Sequence, residues 1–459
     1  MELLQGTHLD LHAPIRPRPV GCPVPLSDIQ LWYWNMLHKE EESSTERLRV
    51  AAVRVLGPLD VNILRDSVEV VVRRHESLRT RIVVGGEGIP RQHIDASCEC
   101  HLDVIDLARV SPTRIETEAK RIAREFLGRK IKLSVDPLFA GVLLRLSNNE
   151  HALLLALEHM VGDAVSCAIL NREIWATYNQ FSQGLSPSLP QMPVQFADYA
   201  VWQERTYSAR RDKDEGYWSG RMTGAPRIDI PTDAHAMESE PPTTATCNLP
   251  FGKALSNTLR DVAQREKTLL PIVVLTAYIA AMSHWCDRSD FALPFISHRR
   301  YRRAELQNMI GFLAWPLYFR IAVPKGDSLL DLLKRAHSEF LAATDHQDFI
   351  PLTAEKDYPQ TSFNWGGMVT YSARWSLDQQ RSAVNQLRIQ PLGLEQEAPS
   401  TFYGHFSDTP AGVVATLRYR PDIIASTTIE RLGHNLRLAA EGLVQRPRAP
   451  IGSMVFRTK

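Results

Sequence analysis

The chain has 459 residues, of which 44% are hydrophobic and 23% are charged, and its formal net charge is +1. This composition is typical of a globular protein, and the length predicts two or three domains. The near-neutral charge argues against a general nucleic-acid binder or a polybasic membrane anchor. No stretch reaches the roughly 18 apolar residues of a membrane span, and the N-terminus lacks the pattern of a secretory signal. We therefore expect a cytoplasmic protein without nucleic-acid or membrane partners.

The first part of the chain is predicted from its prolines and its hydrophobic spacing. Five prolines within the first 25 residues predict an extended leader over residues 1–25. Ser27 is a candidate N-cap for a helix that runs past Trp34. We expect next a strand over 47–56, an amphipathic helix over 61–75 and a strand over 80–84. Residues 85–88 (GGEG) lack the helix and lysine of a phosphate loop, so they predict a hairpin turn.

The six cysteines are scattered along the chain and suit reduced thiols. Cys98, Cys100 and the adjacent His101 could be imagined as a metal site. No second ligand pair follows at zinc spacing, however, and alternating residues on a strand explain the pattern better. We therefore expect no bound metal.

The middle of the chain predicts a helix over 113–127 and a strand over 152–157 that is buried on both faces, because six apolar residues follow one another. Helical spacing resumes at Val165 and Ile169. The Ser, Gly and Pro residues of 182–190 mark the expected boundary between two α/β halves. The second half predicts helices over 254–265, 271–286, 329–344 and 428–444 and strands over 290–296 and 317–323.

A candidate site follows the buried strand directly. His159 lies where that strand opens into a loop, and a histidine there can take a proton from a nucleophile near neutral pH. Asp163 comes four residues later, just past Gly162, and can orient a neighbouring group or neutralise a buried cation. The bare His-x-x-x-Asp pattern is common. It also fits a histidine satisfied by a backbone carbonyl beside an ordinary loop aspartate.

Motifs in a fixed order along nearly the whole chain resemble those of the condensation domains of nonribosomal peptide synthetases. The most specific match is the sequence RHESLRT at 74–80. The others are Pro25-Leu26-Ser27 with Gln30, Asp136-Pro137-Leu138, the His159 segment, the stretch from Phe196 to Trp202, Tyr217-Trp218, Asp290 to Arg300, Ile310 to Arg320, the segment from His346 to Pro351, and Tyr419 to Asp422.

The resemblance implies an α/β fold of two lobes similar to chloramphenicol acetyltransferase, arranged as a V with a central tunnel. The expected lobes are residues 26–184 and 185–459. Carrier proteins would present acyl or aminoacyl thioesters on phosphopantetheine, with no tightly bound cofactor. His159 would position or deprotonate the attacking amine or hydroxyl, and backbone N–H groups near Gly162 are candidates to stabilise the tetrahedral oxyanion.

The resemblance also implies that Asp163 is structural and forms a salt bridge with an arginine, which counting from Asp290 places at Arg300. Arg79 and Arg320 are likewise expected to be scaffold residues. The sequence departs from the family motif in several places. Glu158 replaces the first of two histidines, Ala164 replaces a glycine and Trp315 stands where many relatives carry asparagine; Pro294 and Arg299 replace glycines near Arg300.

Two of these departures allow more than one interpretation. Glu158 could raise the basicity of His159, or strand alternation could point its side chain away from the tunnel, which we favour. The basic run at 299–303 could suggest nucleic-acid binding. A solvated or phosphate-facing loop that meets an acidic carrier protein or its phosphopantetheine fits the neutral chain better.

The leading hypothesis is a stand-alone condensation enzyme that forms an amide or ester in natural-product biosynthesis. One alternative is a non-catalytic docking domain that recruits partners to an assembly line. Another is an acyltransferase that uses a free alcohol or amine, so a small-molecule acceptor stays open. Epimerisation is less favoured, because the chain has no convincing counterpart of the extra acidic motif that this activity uses. Retention of His159, Gly162 and Asp163 favours catalysis over docking.

Overall fold

The computed structural model describes most of the chain, namely residues 14–39, 48–96, 102–226, 228–233, 244–300, 303–347, 361–366, 387–391 and 401–457. The α-helices in this part are α1 (Asp28–Lys39), α2 (Val61–Arg74), α3 (Pro112–Leu127), α4 (Ala164–Ser182), α5 (Phe196–Met222), α6 (Gly252–Arg265), α7 (Leu270–Trp285), α8 (Leu329–Asp345) and α9 (Ser426–Gln445). The strands are β1 (Val24–Pro25), β2 (Leu48–Leu56), β3 (Thr80–Val84), β4 (Pro90–Ile94), β5 (Leu102–Asp106), β6 (Phe139–Ser147), β7 (Glu150–Glu158), β8 (Ala245–Pro250), β9 (Asp290–Ser297), β10 (Trp315–Ala322), β11 (Phe363–Trp365), β12 (Arg388–Pro391), β13 (Phe402–Thr409) and β14 (Gly412–Tyr419).

The chain divides into two compact units, and each draws on several stretches of the sequence. The first unit takes its described residues from Met1–Asp212, His298–Ala314 and Val369–Leu394. The second takes them from Lys213–Ser297, Trp315–Met368 and Glu395–Lys459. The predicted lobes, residues 26–184 and 185–459, are continuous stretches and so do not coincide with these units. Their bounds stay a prediction.

The main sheet of the first unit has the strand order β12-β2-β7-β6-β5. Its central strand, β7, is antiparallel to both β2 and β6. Leu153, Leu155 and Leu157 of β7 belong to a buried cluster with residues of α2 and α4. Leu154 points to the opposite face and packs in a second cluster with Ala123 of α3. Helices therefore cover both faces of β7, which explains why its sequence is apolar without alternation.

A smaller sheet in the first unit has the order β1-β4-β3. β3 and β4 are antiparallel and joined across residues 85–89, as the hairpin prediction requires. Residues 14–25 of the predicted leader contain no helix, and β1 pairs with β4. Arg18 donates to Asp198 and Glu76, so this stretch is tied to the unit by ion pairs.

The second unit is built on a six-stranded sheet with the order β10-β9-β11-β13-β14-β8. β11 is parallel to β9 and β13, and the other neighbours are antiparallel. Its core is aromatic: the Phe363 ring stacks on the rings of Phe295 and Phe406. Every residue of α7 from Pro271 to Met282 is buried. The long apolar run that predicted this helix is therefore the core of the unit.

The predicted elements agree with the structure at their centres and differ by a few residues at their ends. Helix α5 and strands β1, β5, β6, β8, β11, β12, β13 and β14 were not predicted. The strand proposed for Cys98 and Cys100 lies outside the described residues, as do Tyr301, Arg302 and most of the segment from His346 to Pro351. Among the described helices, none alone is long and apolar enough to cross a membrane. Helices α6 and α7 meet that test only together, and the chain bends by 108° between them.

Candidate active site

The candidate site is the turn between β7 and α4. β7 ends at Glu158, and α4 begins at Ala164. We call residues 159–163 between them the His159 turn. The Val161 N–H donates to the Glu158 carbonyl over 3.0 Å, which closes the turn. His159 thus follows a fully covered strand directly, at the place the sequence predicts.

The imidazole of His159 is held in one orientation by its own turn. Its Nδ1 atom lies 2.8 Å from the carbonyl oxygen of Gly162. A carbonyl oxygen can only accept a hydrogen bond, so Nδ1 must carry the proton. In the neutral ring the lone pair is then on Nε2. The contact with a backbone carbonyl therefore also fixes which nitrogen can act as a base.

Aromatic rings surround His159. The centroid of the Phe312 ring lies 4.1 Å from that of the imidazole, and the Tyr33 ring approaches edge-on at 5.7 Å. Burial lowers the pKa of His159, and the positive charge of Arg49 lowers it further. The ring stays neutral at physiological pH and can accept a hydrogen bond or a transient proton.

Gly162 lies at a tightly packed position, where a side chain would force its neighbours to shift. A Cβ atom added there would lie 2.9 Å from Leu157 Cδ1 and 3.3 Å from Ser166 Cβ. Its carbonyl receives the His159 Nδ1–H. Within the described part of the chain, its N–H has no hydrogen-bond acceptor. That N–H is therefore available as a donor, as the oxyanion hypothesis requires.

Asp163 is the N-cap of α4 and is completely buried. Its Oδ1 atom accepts hydrogen bonds from the N–H and the hydroxyl of Ser166, both at 2.8 Å. Its Oδ2 atom accepts from the N–H groups of Leu313 and Ala314 at 3.1 and 3.0 Å. A carboxylate with this many donors has no free lone pair left for a substrate.

Arg300 completes the shell of Asp163 with a two-point ion pair. Nη1 lies 2.8 Å from Oδ2, and Nη2 lies 3.1 Å from Oδ1. Nη2 also donates to the carbonyl of Met309 at 3.0 Å. Burial alone would raise the pKa of Asp163, but the charge and hydrogen bonds of Arg300 outweigh it, so this pKa lies below its usual range. The contact that the resemblance implies between these two side chains is present.

Glu158 is buried and directed into the protein. Its carboxylate accepts hydrogen bonds from the N–H of Met160 and from the hydroxyl of Tyr33, the latter at 3.3 Å. These contacts favour the interpretation in which Glu158 shapes the turn over the one in which it raises the basicity of His159.

Arg299 and Arg300 correct the expectation of a solvated basic loop, because they are only 2% and 5% exposed. Arg299 makes a two-point ion pair with Asp28, with distances of 2.9 and 3.0 Å. Its backbone φ is 54°, in the left-handed region that costs a non-glycine residue roughly 1–2 kcal/mol. Further along, Arg303 lies over the Trp202 ring at 4.2 Å.

The structure adds residues of α1 that the sequence did not single out for the site. Ser27 Oγ accepts the Gln30 N–H, and Gln30 Oε1 accepts the Ser27 N–H, which is the reciprocal pattern of a capping box. The Gln30 side-chain amide also donates to the carbonyl of Met160 at 2.8 Å. The S-x-x-Q spacing predicts the cap, but nothing in the sequence indicates the bond to the His159 turn.

The remaining predicted residues lie elsewhere. Ala164 is the exposed first residue of α4. Trp315 begins β10 in the second unit and is paired with Ser297 of β9. Arg79 donates to the Asp95 carbonyl, and Arg320 lies 3.0 Å from Asp290, so both contact protein groups as scaffold residues do. No cluster of three or more His, Cys, Asp or Glu side chains that could hold a metal occurs in the described part of the chain.

Comparisons with known proteins agree with one another. The family model described as Condensation domain matches residues 23–386. The chain is 30% identical over 449 residues to a linear gramicidin synthase protein from Brevibacillus parabrevis. That alignment covers 95% of this chain and 6% of the relative. The chain spans between 6% and 40% of the length of several curated relatives that it matches.

Two solved structures share the fold. A chain from the complex of the X-domain and OxyB from teicoplanin biosynthesis has a TM-score of 0.78 at 20% identity, with 97% of this chain and 99% of that chain covered. The first condensation domain of the CDA synthetase has a TM-score of 0.73 at 17% identity, with 95% and 100% covered. The predicted fold class, mixed α/β with two lobes similar to chloramphenicol acetyltransferase, is confirmed. The chain belongs to the condensation domain family of nonribosomal peptide synthetases.

Proposed function

We propose that this chain joins a carrier-bound acyl or aminoacyl thioester to an amine or hydroxyl nucleophile, with His159 as the catalytic residue. The observation that carries the proposal is the fixed imidazole of His159. Nδ1–H is bound to the Gly162 carbonyl, so Nε2 is left with its lone pair. Such a ring is oriented to accept a hydrogen bond from an incoming N–H or O–H group.

The low pKa of His159 limits the role that we assign to this residue. An imidazole that resists protonation holds a proton only transiently. As the nucleophile attacks the thioester carbon, its own proton becomes acidic and can pass through Nε2 to the departing thiolate. The new C–N or C–O bond forms and the C–S bond breaks, and His159 is neutral again at the end. His159 then contributes both by orienting the nucleophile and by passing on its proton.

The oxyanion of the tetrahedral intermediate needs donors that exist before the reaction begins. We assign this role to the Gly162 N–H, which within the described residues has no acceptor. Asp163 and Arg300 take no part in the chemistry. Their mutual ion pair and the cap on α4 keep the His159 turn in shape.

We propose further that both substrates arrive on the phosphopantetheine arms of carrier proteins, as in relatives that are peptide synthetases. Amide and ester products are both compatible with a neutral Nε2 acceptor. A free alcohol or amine in place of the second carrier stays a variant of the same proposal, because His159 and Gly162 would act on it in the same way.

The test is a single-turnover assay on intact protein masses. Donor and acceptor carriers are loaded, mixed with the wild-type chain or a variant, and the mass of the acceptor is followed. His159→Ala should lower the rate by about 10²–10⁴-fold, the usual contribution of a general base. His159→Gln keeps an acceptor oxygen and should retain more rate than alanine does.

Glu158→Gln is the matched control at the neighbouring position and should leave most of the rate. An unimpaired rate in His159→Ala would refute the role of that residue. The docking alternative makes a different prediction, since a chain in the solved complex with OxyB shares this fold. Under that alternative no loaded pair gives product with the wild-type chain, although a partner still binds it.

A further inference from the structure

We propose that Arg299 is a positioning residue for His159, and this inference rests on the proposed function. Arg299 acts through Asp28 and helix α1, whose side chains contact Glu158 and Met160 at the start of the segment. The neighbouring Arg300 contacts Asp163 at its end. Two consecutive arginines would thus fix the two ends of the segment that carries the imidazole.

The first link is the buried ion pair between Arg299 and Asp28. Both terminal guanidinium nitrogens are engaged: Nη1 lies 2.9 Å from Oδ1 and Nη2 lies 3.0 Å from Oδ2. Nη1 is also 3.2 Å from the Tyr199 hydroxyl. The Arg299 side chain is 1% exposed and that of Asp28 is 12% exposed. A two-point ion pair shielded from water fixes the orientation of the two side chains as well as the distance between them.

The second link is helix α1, which begins at Asp28. Two residues further on, the amide of Gln30 donates to the Met160 carbonyl at 2.8 Å. One turn later, the Tyr33 hydroxyl donates to Glu158, and the Tyr33 ring meets the imidazole of His159 at 5.7 Å. Asp28, Gln30 and Tyr33 lie within six residues of one helix. Fixing the start of α1 therefore fixes three contacts to the segment around His159.

The third observation is the backbone of Arg299. Its φ of 54° is a conformation that glycine adopts freely and that arginine rarely adopts. Such residues persist only where surrounding contacts hold them, and they concentrate at functional sites. Glycine would adopt this φ with less strain, so the arginine side chain must make a contact that glycine cannot make. Its partner here is Asp28.

The variants follow from this geometry. Arg299→Gly suits the backbone but leaves the Asp28 carboxylate without its counter-charge, so kcat is expressed per folded molecule. We expect kcat for condensation to fall by about 10- to 100-fold, as small displacements of catalytic groups do, while KM changes by less than about twofold. Asp28→Asn should cause a similar loss. The double variant should lose little more than either single one, because both remove the same link. Arg299→Lys, which keeps the charge, should recover part of kcat.

Arg320→Gln is the matched control, since Arg320 also makes an ion pair with an aspartate but lies in the second unit. It should leave kcat unchanged. A purely structural role for Arg299 would lower the amount of folded enzyme and leave kcat per folded molecule at the wild-type value. That result, or an additive double variant, would overturn the proposal.

A substrate-free measurement separates this proposal from the proposed function. Ring signals of ¹³C-labelled histidine report the orientation of His159 whether or not turnover occurs. In Arg299→Gly the His159 signal should shift or broaden, while that of His75, buried in the same unit against Glu173, should stay in place. An unchanged His159 signal overturns the proposal even if turnover is lost. If both signals move in Arg299→Gly, the same spectra of Arg299→Lys decide between the interpretations. A change in the His159 signal alone supports the proposal, and a change in the signals of both His159 and His75 refutes it. Absence of turnover in the wild type would refute only the proposed function.

Discussion

His159 shows how a single residue can satisfy two interpretations of one sequence pattern. Its Nδ1–H is satisfied by the Gly162 carbonyl, as an ordinary structural histidine would be. The same bond leaves Nε2 as the only basic atom of the ring. The position of the imidazole at the end of a buried strand could be predicted from the sequence. The lowering of its pKa could not, because it arises from burial in the folded protein and from the charge of Arg49, which is distant in sequence.

The first prediction concerns the titration of His159. In the unfolded chain its imidazole should titrate near pH 6.5, the ordinary value for histidine. In the folded chain burial lowers the pKa, so the ring should stay neutral between pH 8 and pH 5. NMR of the His159 ring signal against pH in buffer and in urea measures both. A folded-state midpoint near 6.5 would show that burial does not lower the pKa of His159.

The second prediction concerns the charge of Asp163. Asp163→Asn leaves Arg300 buried without its counter-charge, and loss of one partner of a buried pair costs about 3–5 kcal/mol in the free energy of unfolding. Asp60→Asn is the matched control, because Asp60 caps α2 in the same unit but is exposed. It should cost no more than a few tenths of a kcal/mol, since asparagine caps equally well. Thermal or urea unfolding compares the two. A fully stable Asp163→Asn that has lost all turnover would show that Asp163 is catalytic.

Among the elements, α1 and α4 both contact the His159 turn near their first residues. α4 could be predicted from helical spacing after Gly162, and α1 from the Ser27 cap. That both helices contact the His159 turn could not be predicted, because the Gln30 amide and the Met160 carbonyl are 130 residues apart in sequence. Helix α5 was missed for a different reason. Its charged and aromatic residues show almost no one-sided pattern, so periodicity does not reveal it.

The third prediction tests whether Gln30 only caps α1 or also positions the His159 turn. Gln30→Ala removes the reciprocal cap of α1 and leaves the Met160 carbonyl without its donor. A buried group that loses its partner costs about 1–3 kcal/mol. Turnover should fall together with stability, because the turn that carries His159 loses a support. Unfolding curves and the single-turnover rate measure the two effects.

The control for Gln30→Ala is Ser328→Ala, which removes the capping box of α8 in the second unit. Loss of that cap should lower stability by about 1 kcal/mol, yet the rate per folded molecule should stay unchanged. Equal losses of rate in the two variants would mean that turnover reports only stability, and would remove Gln30 from the site.

At the scale of the whole molecule, local sequence patterns predict helices and strands better than they predict which residues contact one another in the fold. The apolar runs of β7 and α7 locate the centres of both units because each run has one physical explanation, burial on all sides. The discontinuous units could not be predicted. Residues 388–391 pair with β2, more than 300 positions earlier in the chain, and Arg299 pairs with Asp28 across 271 positions. Such contacts depend on the complete fold, and no local spacing encodes them.

The last prediction concerns the stability of the whole chain against acid. Burial lowers the pKa of His75, His151, His159 and His405, the last to about 4. Below pH 6.5 the unfolded chain therefore binds protons at these positions that the folded chain does not. The free energy of unfolding must then fall as the pH drops from 6.5 towards the folded-state values, by up to about 1.4 kcal/mol per pH unit for each histidine.

Urea unfolding at pH 7, 6 and 5 measures this slope. His405→Asn removes one of the four histidines. The dependence of the free energy of unfolding on pH should become shallower by up to about 1.4 kcal/mol per pH unit. Thr416→Val changes the residue that faces His405 on β14 without removing a titratable group, so it should keep the wild-type slope. If all three proteins lose stability in parallel, His405 is protonated equally in the folded and unfolded chains. Burial would then not have lowered its pKa, and the acid sensitivity would belong to the other histidines and the carboxylates.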